Sequence, residues 1–436
     1  MLVLFIMSLV GLFVWSLYSQ IPVRQLRSFH TKFSSESLIS LKLDLDSGMH
    51  IIWFFDLKTS PKSPVFIYKS PNRRQSYVIV ANSTMVLIID GSAGTLISKI
   101  TTPNSIVMYP GISIYEMNSA SRDAILLYVA TAYRISCYNV SGAQIWSTDI
   151  SLWSFRIGVV NIDSVCPKVI VYPYFGGNIY VLDGLNGSLM EIIRVGRDFG
   201  YAVFGDINDD GVVDIIAGER DKYLDAIDGK TFGVLWKINT YYSLMFPHVL
   251  YYEKNSPRVL VASYLWYEIK ILNGTDGVVV KTLSLPKSAR ISTPPVVADI
   301  NADGVFDVVV GSRDYKVYAI STDGTFLWSS DTYGIPTNII TGDMNNDCYL
   351  DVIAVDDYGY IYIFDGKNGS LLGTYYVGSS LSVCPAVGDI DGDGLNELVV
   401  STDMGIYMPL IYLRVVIGLI GVPFKAQLWA MGMFYS

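Results

Sequence analysis

Short β-rich runs alternate with turns of Gly, Asn and Asp along most of the chain. The clearest unit is a strand, then Asp/Asn-Gly-x-x-Gly or a close variant, then a second strand. Copies read LIIDGSAGTL, SCYNVSGAQIW, YVLDGLNGSL, DAIDGKTFGVLW, KILNGTDGVV, YAISTDGTFLW and YIFDGKNGSL. Their second glycines are Gly94, Gly142, Gly187, Gly233, Gly277, Gly324 and Gly369, spaced by about 46 residues. Such turns select Gly and Asn because they require positive φ, so each unit predicts a β-hairpin. A repeat of this length matches one four-stranded blade of a β-propeller.

A weaker copy, LKLDLDSGMHIIWFF, places Gly48 one period ahead of Gly94. At the other end, residues 385–401 hold the first half of a repeat without its hairpin. Joining the two ends completes a blade and removes two exposed sheet edges. The predicted fold is therefore all-β: an eight-bladed propeller with four antiparallel strands per blade, closed by N- and C-terminal strands. Seven blades is the runner-up. Residues 38–408 form the propeller and 21–37 a linker.

A second pattern lies half a repeat before some hairpins. GDINDDGVVD, ADINADGVFD, GDMNNDCYLD and GDIDGDGLNE share D-x-[DN]-x-D-G-x-x-[DE], with one blade between the first two lacking it. Side chains at positions 1, 3 and 5 of so tight a loop converge. Position 7 adds a backbone carbonyl, and position 9 closes with a carboxylate. All these donors are hard oxygens, which suits Ca²⁺. The first loop offers Asp206, Asn208, Asp210, Val212 and Asp214, and the second Asp299, Asn301, Asp303, Val305 and Asp307. The third offers Asp343, Asn345, Asp347, Tyr349 and Asp351, and the fourth Asp389, Asp391, Asp393, Leu395 and Glu397. The expectation is about four structural Ca²⁺ ions. An EF-hand is excluded, because strands flank these loops and no Glu stands at position 12. Cys348 replaces the position-6 Gly of the third loop, which predicts strain and the weakest site there.

Charge sharpens this reading. The chain has 40 acidic and 31 basic residues, a net charge of −9. The loops hold 14 of the acids, so all of the net negative charge lies in them. Carboxylates packed this closely repel unless a cation is present. The same balance excludes a general nucleic-acid binder, which needs a basic face.

The loops resemble the FG-GAP/VCBS-type calcium-binding repeats, whose flanking residues are matched by Phe204-Gly205 and Ala217-Gly218. Hairpins followed by Trp, as in Gly142 to Trp146, Gly233 to Trp236 and Gly324 to Trp328, resemble PQQ-like propeller repeats. Together these resemblances cover residues 38–408. They imply fold and calcium. They do not fix an activity, because both families include adhesins, scaffolds and enzymes. The recurrent Trp residues are expected to pack between blades.

No catalytic or cofactor-binding constellation stands out. The three His residues are far apart. Gly229-Lys230-Thr231 has Leu224 where a phosphate loop needs its first Gly, and no GxSxG or HExxH occurs. Residues 1–18 carry no charged side chain, which predicts a signal peptide or N-terminal membrane anchor within 1–20. Residues 409–436 form an apolar tail with no assigned role. Five N-x-S/T sequons, at Asn82, Asn139, Asn186, Asn273 and Asn368, are compatible with export.

The favoured reading is a non-catalytic secreted or cell-surface propeller, stabilised by calcium, that binds a protein or glycan partner. It meets the membrane through its N-terminal segment if that is uncleaved. The alternatives are a propeller enzyme, either a quinone-dependent dehydrogenase or a polysaccharide lyase, and a membrane-associated assembly scaffold.

Overall fold

The computed structural model describes most of residues 64–401, with short internal omissions. Beyond these it gives the backbone course of Leu26–Phe33, Ile39–Leu45, His50–Asp56 and Tyr412–Ile417. The described residues are all-β. They form seven four-stranded antiparallel blades, over 66–101, 112–149, 155–194, 199–239, 249–284, 296–331 and 336–376, and one further sheet of six strands. The fold is a β-propeller.

Seven four-stranded blades is the runner-up count; eight blades of four strands are not what the ring contains. The six-stranded sheet shows why. It runs from Leu26–Phe33 through Ile39–Leu45, His50–Asp56, Tyr412–Ile417 and Glu397–Ser401 to Ala386–Gly388. The expected pairing of 38–57 directly with 385–408 is replaced by a shared neighbour. His50 pairs with Ile417, and Ile417 pairs in turn with Glu397. The sequence between Glu397–Ser401 and Tyr412–Ile417 carries no Asp/Asn-Gly-x-x-Gly signature, so this strand has no local mark. Residues 26–33 and 412–417, assigned to linker and tail, are thus strands. The predicted signal or anchor segment lies outside the described residues. Among those described, no helix is long and apolar enough to cross a membrane.

Within each blade the first strand is innermost. Ala386–Gly388 lies between Pro336–Gly342 of blade seven and Phe66–Lys69 of blade one, which closes the ring. Second strands such as Ser76–Ala81, Asp307–Ser312 and Asp351–Asp356 are buried at every position. Sheets covered on both faces demand such continuous apolar runs. The outermost strands alternate instead: in Phe326–Asp331 the centre of the buried face is Trp328. The core is divided into clusters between neighbouring sheets. One joins Leu126, Tyr128 and Trp146 of blade two to Val169, Val171 and Leu182 of blade three; another joins Ile390 and Val399 of the closing sheet to Val78 and Ile89 of blade one.

The tryptophans pack between blades, as their position predicts. Trp146, Trp236 and Trp328 each donate Nε1–H to a backbone carbonyl of the next blade: Gly184 at 2.8 Å, Gly274 at 2.6 Å and Gly366 at 2.7 Å. The left-handed hairpin glycine of that next blade lies beneath the indole. A Cβ on Gly369 would come within 2.6 Å of Trp328. One hairpin departs from its expected register. The residue at positive φ in blade four is Phe232 (φ 57°), not Gly233. Its N–H donates to the Asp228 carbonyl at 2.8 Å, as Gly187 does to Asp183. Phe232 packs on the core between blades three and four, which compensates a backbone conformation unfavourable for a bulky residue.

Candidate metal centre

All four carboxylate loops connect a first strand to a second, in blades four, six and seven and in the closing sheet. In a sequential antiparallel sheet these loops share one face of the ring with the hairpin turns. Loops one to three share most of their hydrogen bonding; in loop four Asp389 Oδ1 accepts from Gly392 N at 2.7 Å and its Oδ2 from Lys69. The position-1 carboxylate caps backbone N–H groups across the loop. Asp299 Oδ1 accepts from Asp303 N at 3.1 Å and its Oδ2 from Gly304 N at 2.9 Å; Asp343 does the same for Asp347 N at 3.2 Å and Cys348 N at 3.0 Å. Asp206 binds Asp210 N and Gly211 N likewise. The position-5 carboxylates Asp210, Asp303, Asp347 and Asp393 accept from the position-7 N–H of Val212, Val305, Tyr349 and Leu395 at 2.8–2.9 Å.

Two residues in each loop take left-handed backbone. Position 6 is Gly211, Gly304, Cys348 and Gly394, with Cys348 at φ 68°. Position 4 is Asp209, Ala302, Asn346 and Gly392. The pattern of glycines exposes only position 6. The sole trace of position 4 is that Asp, Asn and Gly, which tolerate this region best, fill it in three loops out of four.

The position-9 acids end up deep inside. Asp214, Asp307, Asp351 and Glu397 are buried, and each accepts the position-2 N–H: from Ile207 at 2.9 Å, Ile300 at 3.1 Å, Met344 at 2.8 Å and Ile390 at 2.7 Å. In loop one the second oxygen of Asp214 accepts from Gly229 N at 2.8 Å. In the other three loops the second oxygen, Asp307 Oδ1, Asp351 Oδ1 or Glu397 Oε1, is buried without a hydrogen-bond partner. A buried unpaired carboxylate oxygen is costly. The cost appears in their acidity. Burial pushes Asp307 up to about 6, Asp351 to about 7 and Glu397 to about 7; the loop carboxylates add to this, and the position-2 N–H opposes it. Burial also raises Asp214, partly offset by its two backbone donors.

The remaining donors are brought together unevenly. In loop four, Asp389, Asp391 and Glu397 each place a carboxylate oxygen within 4.8 Å of the others. In loops two and three the position-3 amides, Asn301 and Asn345, donate to Asp303 and Asp347 at 3.0 Å. Asn208 turns instead to Asp228, at 3.3 Å. The donor set of hard oxygens, with an unpartnered buried one in three loops, fits a divalent cation such as Ca²⁺. Three contacts that the repeat pattern does not reveal tie loops to the next sheet. Tyr252 donates to the Asp206 carbonyl at 2.7 Å, Asn396 to the Asp343 carbonyl at 2.9 Å, and Lys69 to the Asp389 carboxylate at 2.6 Å.

Comparison with known proteins agrees with the fold. Residues 343–400, from the first donor of loop three through loop four, match the FG-GAP-like repeat family. No curated protein matches the sequence. Among solved structures, BamB from Moraxella catarrhalis is similar over 85% of this chain and 97% of its own, with a TM-score of 0.56 and 15% identity. The quinohemoprotein alcohol dehydrogenase ADHIIG from Pseudomonas putida HK5 is similar over 87% of this chain and 78% of its own, with a TM-score of 0.61 and 11% identity. BBS1N, solved in complex with ARL6DN, is similar over 72% and 92%, with a TM-score of 0.50 and 14% identity. The chain is a β-propeller, and its residues 343–400 are similar to the FG-GAP-like repeat. At these identities the structural likeness is one of fold.

Proposed function

We propose that this protein is a non-catalytic, calcium-stabilised propeller, secreted or held at the cell surface, that presents a face of the ring to a protein or glycan partner. The observation that carries the calcium reading is the buried position-9 carboxylate with an unpartnered oxygen in loops two, three and four. An ion at the centre of each loop would take that oxygen together with the side chains at positions 1, 3 and 5, and the position-7 carbonyl. The ions are structural in this reading, because the candidate donors of each lie within one short strand-to-strand loop that binds its own backbone N–H groups. A preference for calcium supports export, since free Ca²⁺ is abundant outside cells. The solved complex of BBS1N with ARL6DN supports a protein partner for a ring of this shape. A quinone-dependent enzyme rests on likeness of fold alone, and the membrane scaffold on the apolar terminal segments.

Metal analysis by mass spectrometry together with a melt in chelator tests the calcium reading. The expected result is about four bound calcium ions and a melting temperature lower by on the order of 10 °C after their removal. Zero calcium with an unchanged melt would reduce the loops to polar turns.

A further inference from the structure

The four loops differ in charge at their donor positions. Loops one to three offer three carboxylates and one amide: Asp206, Asn208, Asp210 and Asp214, then Asp299, Asn301, Asp303 and Asp307, then Asp343, Asn345, Asp347 and Asp351. Loop four has Asp391 where the others have Asn, giving four carboxylates. It is also the loop at which a cationic side chain meets the position-1 acid. Lys69 Nζ lies 2.6 Å from Asp389 Oδ2. With this ammonium counted, the loop-four donors carry −3, the same as those of loops two and three; in loop one Lys230 Nζ lies farther off, 4.0 Å from the position-5 acid Asp210 rather than on the position-1 acid.

The contrast with loop one shows what Lys69 does. There the end of the next blade's first strand supplies Tyr252, which holds the Asp206 backbone carbonyl and leaves its carboxylate to the loop. At loop four the end of blade one's first strand supplies Lys69, which takes a carboxylate oxygen itself. The Asp389 side chain is 13% exposed, whereas that of Lys69 is 54% exposed and has open solvent to swing into. The contact also spans the junction where the closing sheet meets blade one. That junction is held independently by Ile390, which packs among Val78, Val80, Leu87 and Ile89 and accepts a hydrogen bond from the Ser76 hydroxyl. Departure of Lys69 therefore leaves the ring shut.

We propose that Lys69 is a tethered competitor for the fourth loop: its ammonium holds Asp389 until a calcium ion displaces it, so that this site fills at a higher calcium concentration than it otherwise would. The idea rests on the calcium reading above. An ammonium and a calcium ion on the same carboxylate repel, so calcium entry weakens the Lys69 contact and the Lys69 contact weakens calcium binding. The loop is then a site whose affinity is set by a residue of another blade.

Calorimetric calcium titration of the full-length chain tests this, using the wild type, Lys69→Met and Lys69→Arg. The binding step that disappears in Asp393→Ala identifies loop four. Loss of a half-exposed ion pair is worth roughly a two- to fivefold change in affinity. Lys69→Met should tighten the loop-four step by that factor, whereas Lys69→Arg, which keeps the charge, should stay near wild type. Equal affinity in wild type and Lys69→Met, or weaker binding in the variant, overturns the competitor role while leaving the calcium reading intact. Absence of binding at loops two and three in every protein overturns the calcium reading and this inference with it.

Discussion

Blades five and six stand side by side and solve the same two problems differently. Each must connect its first strand to its second, and each must fasten to the next blade. Blade five connects with a two-residue turn, Lys254-Asn255, at φ 49° and 65°, the mirror-image geometry that suits a hairpin. Blade six connects with the carboxylate loop 299–307. Blade five reaches its neighbour through Lys281, which is exposed and donates to the Asp323 carbonyl at 2.6 Å. The matching position of blade six is Trp328, which is buried and donates to Gly366. The hairpin glycines follow suit. A Cβ on Gly324, opposite Lys281, would meet nothing within 4 Å, whereas one on Gly369 would strike Trp328. The repeat keeps its backbone from blade to blade and varies in what fills it. Blade six buys rigidity with an indole and a dense carboxylate loop, and blade five does without either.

The largest expected effect comes from the fastening. Trp328→Ala should destabilise the protein by about 3–5 kcal/mol, through lost burial and an unpaired Gly366 carbonyl. Lys281→Ala should cost less than about 1 kcal/mol, because its stem and ammonium are solvated. Denaturant unfolding measures both. Similar costs for the two would erase the distinction between the blades.

Next comes the loop. Burial raises Asp307, Asp351 and Glu397 above ordinary carboxylate values, to about 6, about 7 and about 7. A raised folded-state value favours the folded protein below the unfolded-state value, near 4, and that contribution is lost as pH rises through 6 to 7. The metal-free protein should therefore melt progressively lower across this window. On the proposed calcium reading the ion competes with these same protons, so its stabilising effect should grow over the same range. The gap between calcium-loaded and dialysed protein should widen by several degrees from about pH 5 to pH 7.5. A gap that does not change with pH would separate the buried acids from the ion.

The smallest effect isolates one backbone dihedral. Gly304 of blade six and Cys348 of blade seven share the left-handed position 6, and a Cβ on Gly304 would touch nothing. Gly304→Ala should then cost about 1 kcal/mol from φ alone, and Cys348→Gly should return about as much. Thermal melts of both variants without calcium give the comparison. Opposite signs are expected, and like signs would mean that strain does not govern this position.

Much of this could be read from the chain because each feature leaves a local mark. The hairpin turns need Gly or Asn, and the loops need acids at fixed spacing. Trp three or four residues after the hairpin Gly marks the inter-blade fastening. What escaped was set by distant partners. Tyr412–Ile417 enters the closing sheet by pairing with strands from both ends, so no turn announces it. Phe232 occupies a glycine's place because a core from blade three is there to receive its ring. Position 4 of the carboxylate loops hides behind residues as different as Asp209, Ala302, Asn346 and Gly392. Lys69 bears on Asp389 across 320 residues of sequence, and no spacing rule connects them.

The six-stranded sheet also sets a timetable. His50 pairs with Ile417, so a strand made early must wait for one made near the end. At roughly 5–20 residues per second, the ribosome takes about 20–70 s to produce the residues between them. During that interval the blades can form in order, each resting on its predecessor, while His50–Asp56 stays without its inner partner, Tyr412–Ile417. The pairing of His50 with Ile417 has a greater sequence separation than the ring-closing contact of Ala386–Gly388 with blade one, and carries a correspondingly larger loop-closure entropy. Synthesis of this protein thus includes a period in which a nearly complete arc holds an open edge. Its vulnerability to aggregation is concentrated there.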